Sequence, residues 1–347
     1  MKQDMKHLLY LTLCITATWC VACQETPATD SMQSNVHPRF VLNSSVQTRV
    51  TYPSIYESTF EDGDILGAFA LIANGQQDSE GHALYDLATG TTPNAQYKVR
   101  AESDGTLSLE PVIGRDVFPA GNEYTYVFYY PYKEGVSLSD EGKILITHSV
   151  EADQTTPGRY ERSDLLWDVT RLRESSPAEA PVVDVEMDHL MTHLVFRIEA
   201  DDPLGSDFGE VTGVKVCDVK ATVTDINLSL PMTSDGHGLE GSHESVDETD
   251  VQMWEYSNSY PDAADSGWKT FRVAIPAATI ANGNNRNFFT VTNASGASKS
   301  WTASFAGGSA TFLPGRYYLF TVEDGDLRFR GLIEDLEDGG DHYYEYD

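Results

Sequence analysis

Short apolar runs separated by turn signals recur along most of the chain. Their length and their many β-branched and aromatic residues favour strands over helices. The pattern therefore predicts a nearly all-β protein. In the first half the runs lie at 65–72, 106–109, 124–130 and 143–150, and in the second half at 193–198, 211–219, 222–230, 268–275, 287–292, 299–305, 316–322 and 327–333.

Regular short strands without intervening amphipathic helices predict β-sandwiches. The chain has 347 residues, more than one hydrophobic core usually supports, so we expect two domains. A polar segment at 157–181 separates the two series of runs and is predicted as a long loop, with a short helix at 164–173 as the alternative. We place the N-terminal sandwich at 39–182 and the C-terminal sandwich at 183–347. The polar, acidic insertion at 235–266 is predicted as a surface loop.

The first residues of the chain indicate that the protein is exported from the cytoplasm. A lysine-bearing start precedes an apolar stretch at 8–22, which is too short to span a bilayer and is followed by Cys23. This order is typical of a signal peptide, and Ala22-Cys23 resembles the lipobox at which signal peptidase II cuts before a Cys that is then lipidated. We predict a lipoprotein signal peptide at 1–22, lipidation of Cys23 and a flexible tether at 23–38. An ordinary cleaved signal is the alternative.

The cysteines and the net charge exclude an internal disulfide and a nucleic-acid partner from the expected properties of the protein. Cys14 and Cys20 lie in the predicted signal peptide and Cys23 would carry lipid, so Cys217 is left without a disulfide partner. We expect Cys217 to be a small core residue rather than a reactive thiol. The formal net charge of −31 opposes binding to nucleic acid, so no nucleic-acid partner is expected.

His189 and His193 have the spacing of the zinc protease motif, in which a Glu follows the first His. Leu190 stands in that position, and the surrounding residues predict a strand. On one strand the two imidazoles would lie roughly 13 Å apart at about 3.3 Å per residue, too far for one metal ion. We therefore expect no metal and no cofactor. The acidic stretches at 324–326 and 334–341 lack the ligand order of a calcium loop.

The sequence has no nucleophile elbow, phosphate loop or dinucleotide fingerprint, so we do not expect an enzyme. Trp254, Tyr256 and Tyr260 fall in the polar insertion, where exposure is expected. These rings make a glycan-binding surface lipoprotein the alternative function. A secreted glycan hydrolase is a third, less favoured class.

Five collinear segments resemble the fimbrillin (Mfa-like) family, the lipoprotein subunits of type V pili. They match its opening around a Gly-Asp turn, its Tyr-Tyr-Pro-Tyr and Asp-Leu-Leu segments, and two later strands, with His193 where Lys is common. The segments are 48–69, 129–132, 164–167, 187–196 and 314–322. The resemblance implies two tandem transthyretin-like β-sandwiches, a surface-exposed outer-membrane location, and assembly with other pilus subunits into a fimbria or as an accessory adhesin.

The resemblance also implies how subunits join. A surface protease of trypsin-like specificity cuts after an Arg and removes the first strand, and a strand from the next subunit fills the groove. The candidate first strand ends at Arg49 and carries Phe40, Leu42 and Val46 as apolar plugs. An acidic C-terminus replaces the family's usual ending, which leaves the donor role of the tail open.

Two arginines are candidate cleavage sites. Arg39 and Arg49 are the only Lys or Arg residues between Cys23 and Lys98. The alternative is that both are ordinary surface residues and that the protein stays anchored as a base subunit or a non-polymerising relative. Its adhesion target is not defined by the sequence.

Overall fold

The computed structural model describes residues 37–43, 60–114, 116–172, 181–199, 204–205, 207–231, 244–256, 267–283 and 287–332. Of these residues, 57% lie in strands and 3% in helix, which confirms the prediction of a nearly all-β protein. No helix within these ranges is long and apolar enough to cross a bilayer. The division into two tandem sandwiches stays a prediction.

The described strands are numbered in chain order. They are β1 (Arg39–Leu42), β2 (Ile65–Gln77), β3 (Ala83–Leu87), β4 (Ala95–Ala101), β5 (Leu107–Pro111), β6 (Tyr124–Tyr130), β7 (Leu145–Ser149), β8 (Leu166–Arg171), β9 (Val182–Val185), β10 (Asp188–His189), β11 (Met191–Glu199), β12 (Val211–Asn227), β13 (Glu244–Gln252), β14 (Trp254–Glu255), β15 (Trp268–Pro276), β16 (Ala278–Ala281), β17 (Phe289–Asn293), β18 (Ser298–Trp301), β19 (Ser309–Phe312), β20 (Tyr317–Glu323) and β21 (Asp326–Leu332). Helix α1 (Pro157–Ser163) lies between β7 and β8 and begins with a proline, which is favourable at a helix start.

The largest sheet has nine strands in the order β10-β8-β6-β2-β4-β5-β1-β9, with β3 paired to β2. Two five-stranded sheets have the orders β14-β15-β11-β20-β21 and β13-β12-β17-β18, the latter with β7 paired to β12. Strands β16 and β19 form a separate pair. Strand β7 precedes the predicted domain boundary and β12 follows it, so the two series of strands share a sheet.

Strands β2 and β6 are apolar on both faces because each face meets a different core. Alternate residues of a strand point to opposite faces. Leu66 and Phe128 lie in a core that also contains Phe40 of β1. Phe69 and Val127, on the opposite face, lie in a second core with residues of the other sheets. This arrangement explains the uninterrupted apolar runs that the sequence shows at both strands.

One predicted strand boundary is wrong. The runs at 211–219 and 222–230 were expected to be separate strands, but β12 is continuous from Val211 to Asn227. Asp218 adopts a positive φ of 53°, beside a register shift against β13. This is the geometry of a β-bulge, which absorbs an extra residue without ending the strand.

Two predicted loops contain regular structure. The polar segment at 157–181 includes α1 and β8, and the alternative of a helix at 164–173 is wrong because β8 occupies Leu166–Arg171. The insertion at 235–266 includes β13 and β14. Strand β13 is mostly exposed and acidic, but its backbone pairs with β12 over most of its length. Pairing with a neighbouring strand here outweighs low strand propensity.

Candidate functional site

Strand β1 lies between two neighbours in the nine-stranded sheet. Phe40 is opposite Leu109 of β5 in an antiparallel ladder and opposite Val183 of β9 in a parallel one. At its start, the backbone N–H of Arg39 donates to the carbonyl oxygen of Pro181 at 2.9 Å. This four-residue strand is therefore paired along both edges, and it completes the sheet between β5 and β9.

The side chain of Phe40 fills an aromatic socket and is only 2% exposed. The socket consists of Tyr97, Phe118, Tyr126 and Phe128, whose ring centroids lie 5.7, 6.2, 5.1 and 5.0 Å from that of Phe40. All four contacts are edge-to-face, an arrangement that adds to the stabilisation from burial alone. Phe40 is therefore the main apolar anchor of β1.

The socket is held by hydrogen bonds that do not involve β1. The Tyr97 hydroxyl donates to the carbonyl oxygen of Asp116 at 3.0 Å, and the Tyr126 hydroxyl donates to that of Pro119 at 2.7 Å. Burial raises the pKa of both phenols, so they stay neutral donors. The two tyrosine rings are thus oriented by hydrogen bonds to the loop before β6.

The structure brings together two of the three predicted plugs. Leu42 is buried with Phe40 in the same core, whereas Val46 lies outside the described residues. Arg39 is the first residue of β1, with an exposed side chain 4.0 Å from Glu102. Arg49 and the predicted lipidation site Cys23 also lie outside the described residues.

The expected separation of the two histidines is wrong. The chain leaves β10 at His189 and enters β11 at Met191, so the imidazoles do not lie on one strand. Their ring centroids are 4.9 Å apart. The sequence spacing gave no sign of this change of strand at Leu190.

Both imidazoles face the buried carboxyl group of Asp164. Nδ1 of His189 is 2.5 Å from Oδ2 of Asp164, and Nε2 of His193 is 3.6 Å from Oδ1. Burial by itself would raise the pKa of Asp164, but the two imidazoles hold it below its ordinary value. Burial lowers the pKa of His193 to about 3, so this ring is neutral at physiological pH.

The aromatic residues of the glycan-binding alternative are not on the surface. Trp254 and Tyr256 are 2% and 0% exposed, and Tyr260 lies outside the described residues. Trp254 packs against Tyr160 of α1 with ring centroids 5.6 Å apart. The predicted exposure of Trp254 and Tyr256 is wrong. Strand β14 pairs with β15, and the rings of Trp254 in β14 and of Tyr256 directly after it both lie in the core.

Cys217 is a buried core residue, as expected. Its Sγ lies 3.6 Å from the hydroxyl oxygen of Thr290. Burial raises the pKa of the thiol, which keeps it protonated and therefore weakly nucleophilic.

The fold defines the class of the protein, a multi-sheet all-β protein in which a short N-terminal strand completes a sheet. The family model described as fimbrillin-like matches residues 48–335. The chain therefore belongs to the fimbrillin-like family, which confirms the resemblance carried by its motifs. This is a family of fimbrial and adhesin proteins.

The chain is similar to solved structures from three bacterial species. A candidate cell adhesion protein of Bacteroides uniformis is 19% identical, with 86% of this chain and 96% of that chain covered and a TM-score of 0.49. A fimbrial protein of Bacteroides ovatus is 14% identical over 84% of this chain and 50% of that chain, with a TM-score of 0.41. The fimbrial anchor protein Mfa2 of Porphyromonas gingivalis is 8% identical over 89% and 100%, with a TM-score of 0.34. No curated protein matches the sequence.

Proposed function

We propose that this protein is a fimbrial subunit or accessory adhesin that is assembled by exchange of β1. In the precursor, β1 fills the nine-stranded sheet of its own chain. After proteolysis, an extended strand from another subunit takes its place. The protein acts through assembly and adhesion and not through catalysis, and its partners are other fimbrial subunits.

The observation that carries this proposal is the position of β1. The strand is four residues long, lies between β5 and β9, and is anchored by Phe40 and Leu42. Loss of β1 would leave unpaired backbone groups on two strands and an open aromatic socket. Unpaired strand edges and exposed apolar grooves favour pairing with an added strand. An extended donor segment with apolar residues at alternate positions would restore both interactions.

The position of β1 distinguishes the two candidate cleavage sites. A cut after Arg39 leaves Phe40 and Leu42 attached to the rest of the chain. A cut after Arg49, seven residues beyond Leu42, separates all of β1 from the chain that follows. Arg39 also has its backbone N–H bonded within the sheet. We therefore assign the productive cleavage to Arg49.

The same proposal places the protein at the bacterial surface. Lipidation of Cys23 anchors the precursor in the outer membrane, and the segment after it tethers the folded part. Cleavage after Arg49 then cuts the covalent link that joins the chain to β1 and to its anchor. The test of the anchor is metabolic labelling with a palmitate analogue, which Cys23→Ser should abolish. Unchanged labelling of the variant would reject the anchor.

The assignment of the cleavage site is tested by titrating purified precursor with trypsin and sequencing the new N-terminus. We expect an early cut that gives a chain beginning at Val50. Arg49→Ala should abolish this cut, whereas the matched variant Arg39→Ala should leave it unchanged. A first cut after Arg39, or equal protection by both variants, would contradict the assignment.

The alternative of an anchored, non-polymerising relative predicts a different result. In that case the cut product remains a monomer even after β1 has been displaced in mild denaturant and the denaturant has been removed. The glycan-binding alternative loses its support, because Trp254 and Tyr256 are buried.

A further inference from the structure

Three elements bring side chains of metal-ligating type together beneath the surface. Asp164 follows α1 directly, and its backbone N–H donates to Glu161 at the end of that helix. His189 belongs to β10 and His193 to β11. One donor atom from each of the three side chains lies within 4.8 Å of the other two.

Two atoms of this cluster lack hydrogen-bond partners. Oδ1 of Asp164 and Nε2 of His193 are buried and accept or donate no hydrogen bond. They face each other at 3.6 Å, too far for a direct hydrogen bond. Buried polar atoms are almost always satisfied, and leaving a carboxylate oxygen unpaired is costly. The pair therefore points to a bound group between the two atoms.

Their separation suits a metal ion. Zinc binds imidazole nitrogen and carboxylate oxygen at about 2.0–2.2 Å. Two such ligands at a tetrahedral angle are about 3.4 Å apart, close to the 3.6 Å between Asp164 Oδ1 and His193 Nε2. Imidazole with carboxylate is a donor set for zinc and related transition metals, whereas calcium and magnesium prefer oxygen ligands alone.

A second layer of hydrogen bonds orients His193. Nδ1 of His193 is 2.7 Å from the hydroxyl oxygen of Tyr160, to which Arg272 donates at 2.8 Å. When that oxygen also accepts the proton of Nδ1, the lone pair of Nε2 points at Asp164. Ligating histidines commonly use their second nitrogen in this way.

We propose that Asp164, His189 and His193 bind one divalent transition-metal ion of the zinc type, which displaces to solvent the proton that Nδ1 of His189 shares with Oδ2 of Asp164. The ion would tie the end of α1 to β10 and β11 and so hold these elements together. Its role is structural, and a fourth position is left for water. The proposal replaces the expectation of no metal, because one ground for that expectation, the distance between the two histidines, is incorrect.

The test uses the mature full-length chain, stripped with a chelator and then equilibrated with zinc chloride at pH 7.5. Elemental analysis after gel filtration should give one zinc per chain. Asp164→Asn and His193→Gln should reduce binding at least tenfold. The matched control is His82→Asn, which removes a half-buried imidazole 3.3 Å from Asp78 and 3.6 Å from Glu80 and should leave the stoichiometry unchanged.

Two further measurements on the unmodified protein test metal binding even if a variant does not fold. Cobalt chloride should produce the visible absorption of a tetrahedral cobalt site. Zinc chloride, but not magnesium chloride, should raise the melting temperature, because a ligand that binds only the folded state stabilises it. Absence of stoichiometric zinc in the unmodified chain, or equal binding by Asp164→Asn, would overturn the proposal. The cluster would then be a buried ion pair between Asp164 and His189.

Discussion

The ring of Phe40 meets that of Phe128 edge to face with 5.0 Å between their centroids, although 88 positions separate them in the sequence. Phe128 belongs to β6, which lies four places from β1 in the strand order of the sheet. The contact therefore crosses the core from one side of the curved sheet to the other. Through this ring, a four-residue strand is connected to the centre of the structure.

Replacing Phe40 should destabilise the uncut precursor. Phe40→Ala removes a buried ring from the aromatic socket and should lower the free energy of unfolding by about 3–5 kcal/mol. Val41→Ala is the matched control, since Val41 is half-buried on the opposite face of the same strand. It should cost about 1 kcal/mol. Urea denaturation of the uncut precursor measures both values. Equal effects would show that Phe40 is not the anchor of β1.

Gly67 of β2 is required by a close contact with Tyr129 on the neighbouring strand β6. A Cβ atom at position 67 would lie 2.1 Å from the Tyr129 ring. That ring is held by its hydroxyl, which donates to Asn94 at 2.6 Å. Gly67→Ala should therefore lower the free energy of unfolding by about 1–3 kcal/mol through overpacking.

A glycine with open space around it provides the control for this prediction. Gly114 is exposed, and no described atom beyond its own residue and its chain neighbours lies within 4 Å of the place that a Cβ would take. Gly114→Ala should change the melting temperature little. In addition, Gly67→Ala should be less harmful in a Tyr129→Leu background, since residues in contact have non-additive effects. If the effects of Gly67→Ala and Tyr129→Leu on the free energy of unfolding are additive, the Tyr129 ring is not the reason why Gly67 is required.

Asp168 should make the protein less stable as the pH rises. Burial raises its pKa to about 7, and the charges of Asp188 and Glu186 act in the same direction. Burial also raises the pKa of Asp188, to about 6. An unfolded Asp titrates near 4, so between about pH 4 and 7 the folded state binds more protons than the unfolded state. The stability contributed by the protonated carboxyl is complete below pH 4 and is lost as the pH rises through 7.

Removal of the Asp168 charge should restore the stability that the protein loses at high pH. Asp168→Asn should raise the free energy of unfolding at pH 8, on the order of 1–2 kcal/mol after allowance for partial exposure, and should have little effect at pH 4. Its side-chain oxygen can still accept the backbone N–H of Glu186, now 3.0 Å from Oδ2. Asp86→Asn, at an exposed position on β3, should leave the pH profile unchanged. A profile that Asp168→Asn does not alter would show that this carboxyl is ionised in the fold.

Parts of the fold could be predicted where side chains alone determine the strand. Tyr124–Tyr130 was predicted with the bounds that β6 has, because its continuous aromatic and β-branched residues end at a proline. The continuity of β12 could not be predicted, since an Asp with positive φ resembles a turn in sequence and forms a bulge in the structure. Strand β13 was missed because it depends on backbone pairing and has few apolar side chains.

The candidate sites were predicted to different extents. Phe40 and Leu42 were identified as residues of the first strand that the family resemblance implies, and both are buried. The socket around Phe40 could not be predicted, since it combines rings from β4, β6 and the loop before β6. The closeness of His189 and His193 depends on a change of strand, which residue spacing does not encode.

The exchange of β1 is tested most directly by the size of the protein after cleavage at Arg49, with and without a synthetic peptide of residues 37–49. The cut protein should form oligomers once β1 is displaced in mild denaturant and the denaturant is removed. An excess of the peptide should keep it monomeric, because the peptide refills the groove. The same peptide with Phe40→Asp should not keep the cut protein monomeric, since a carboxylate cannot enter the aromatic socket. A cut protein that stays a stable monomer without peptide after this treatment would contradict the account.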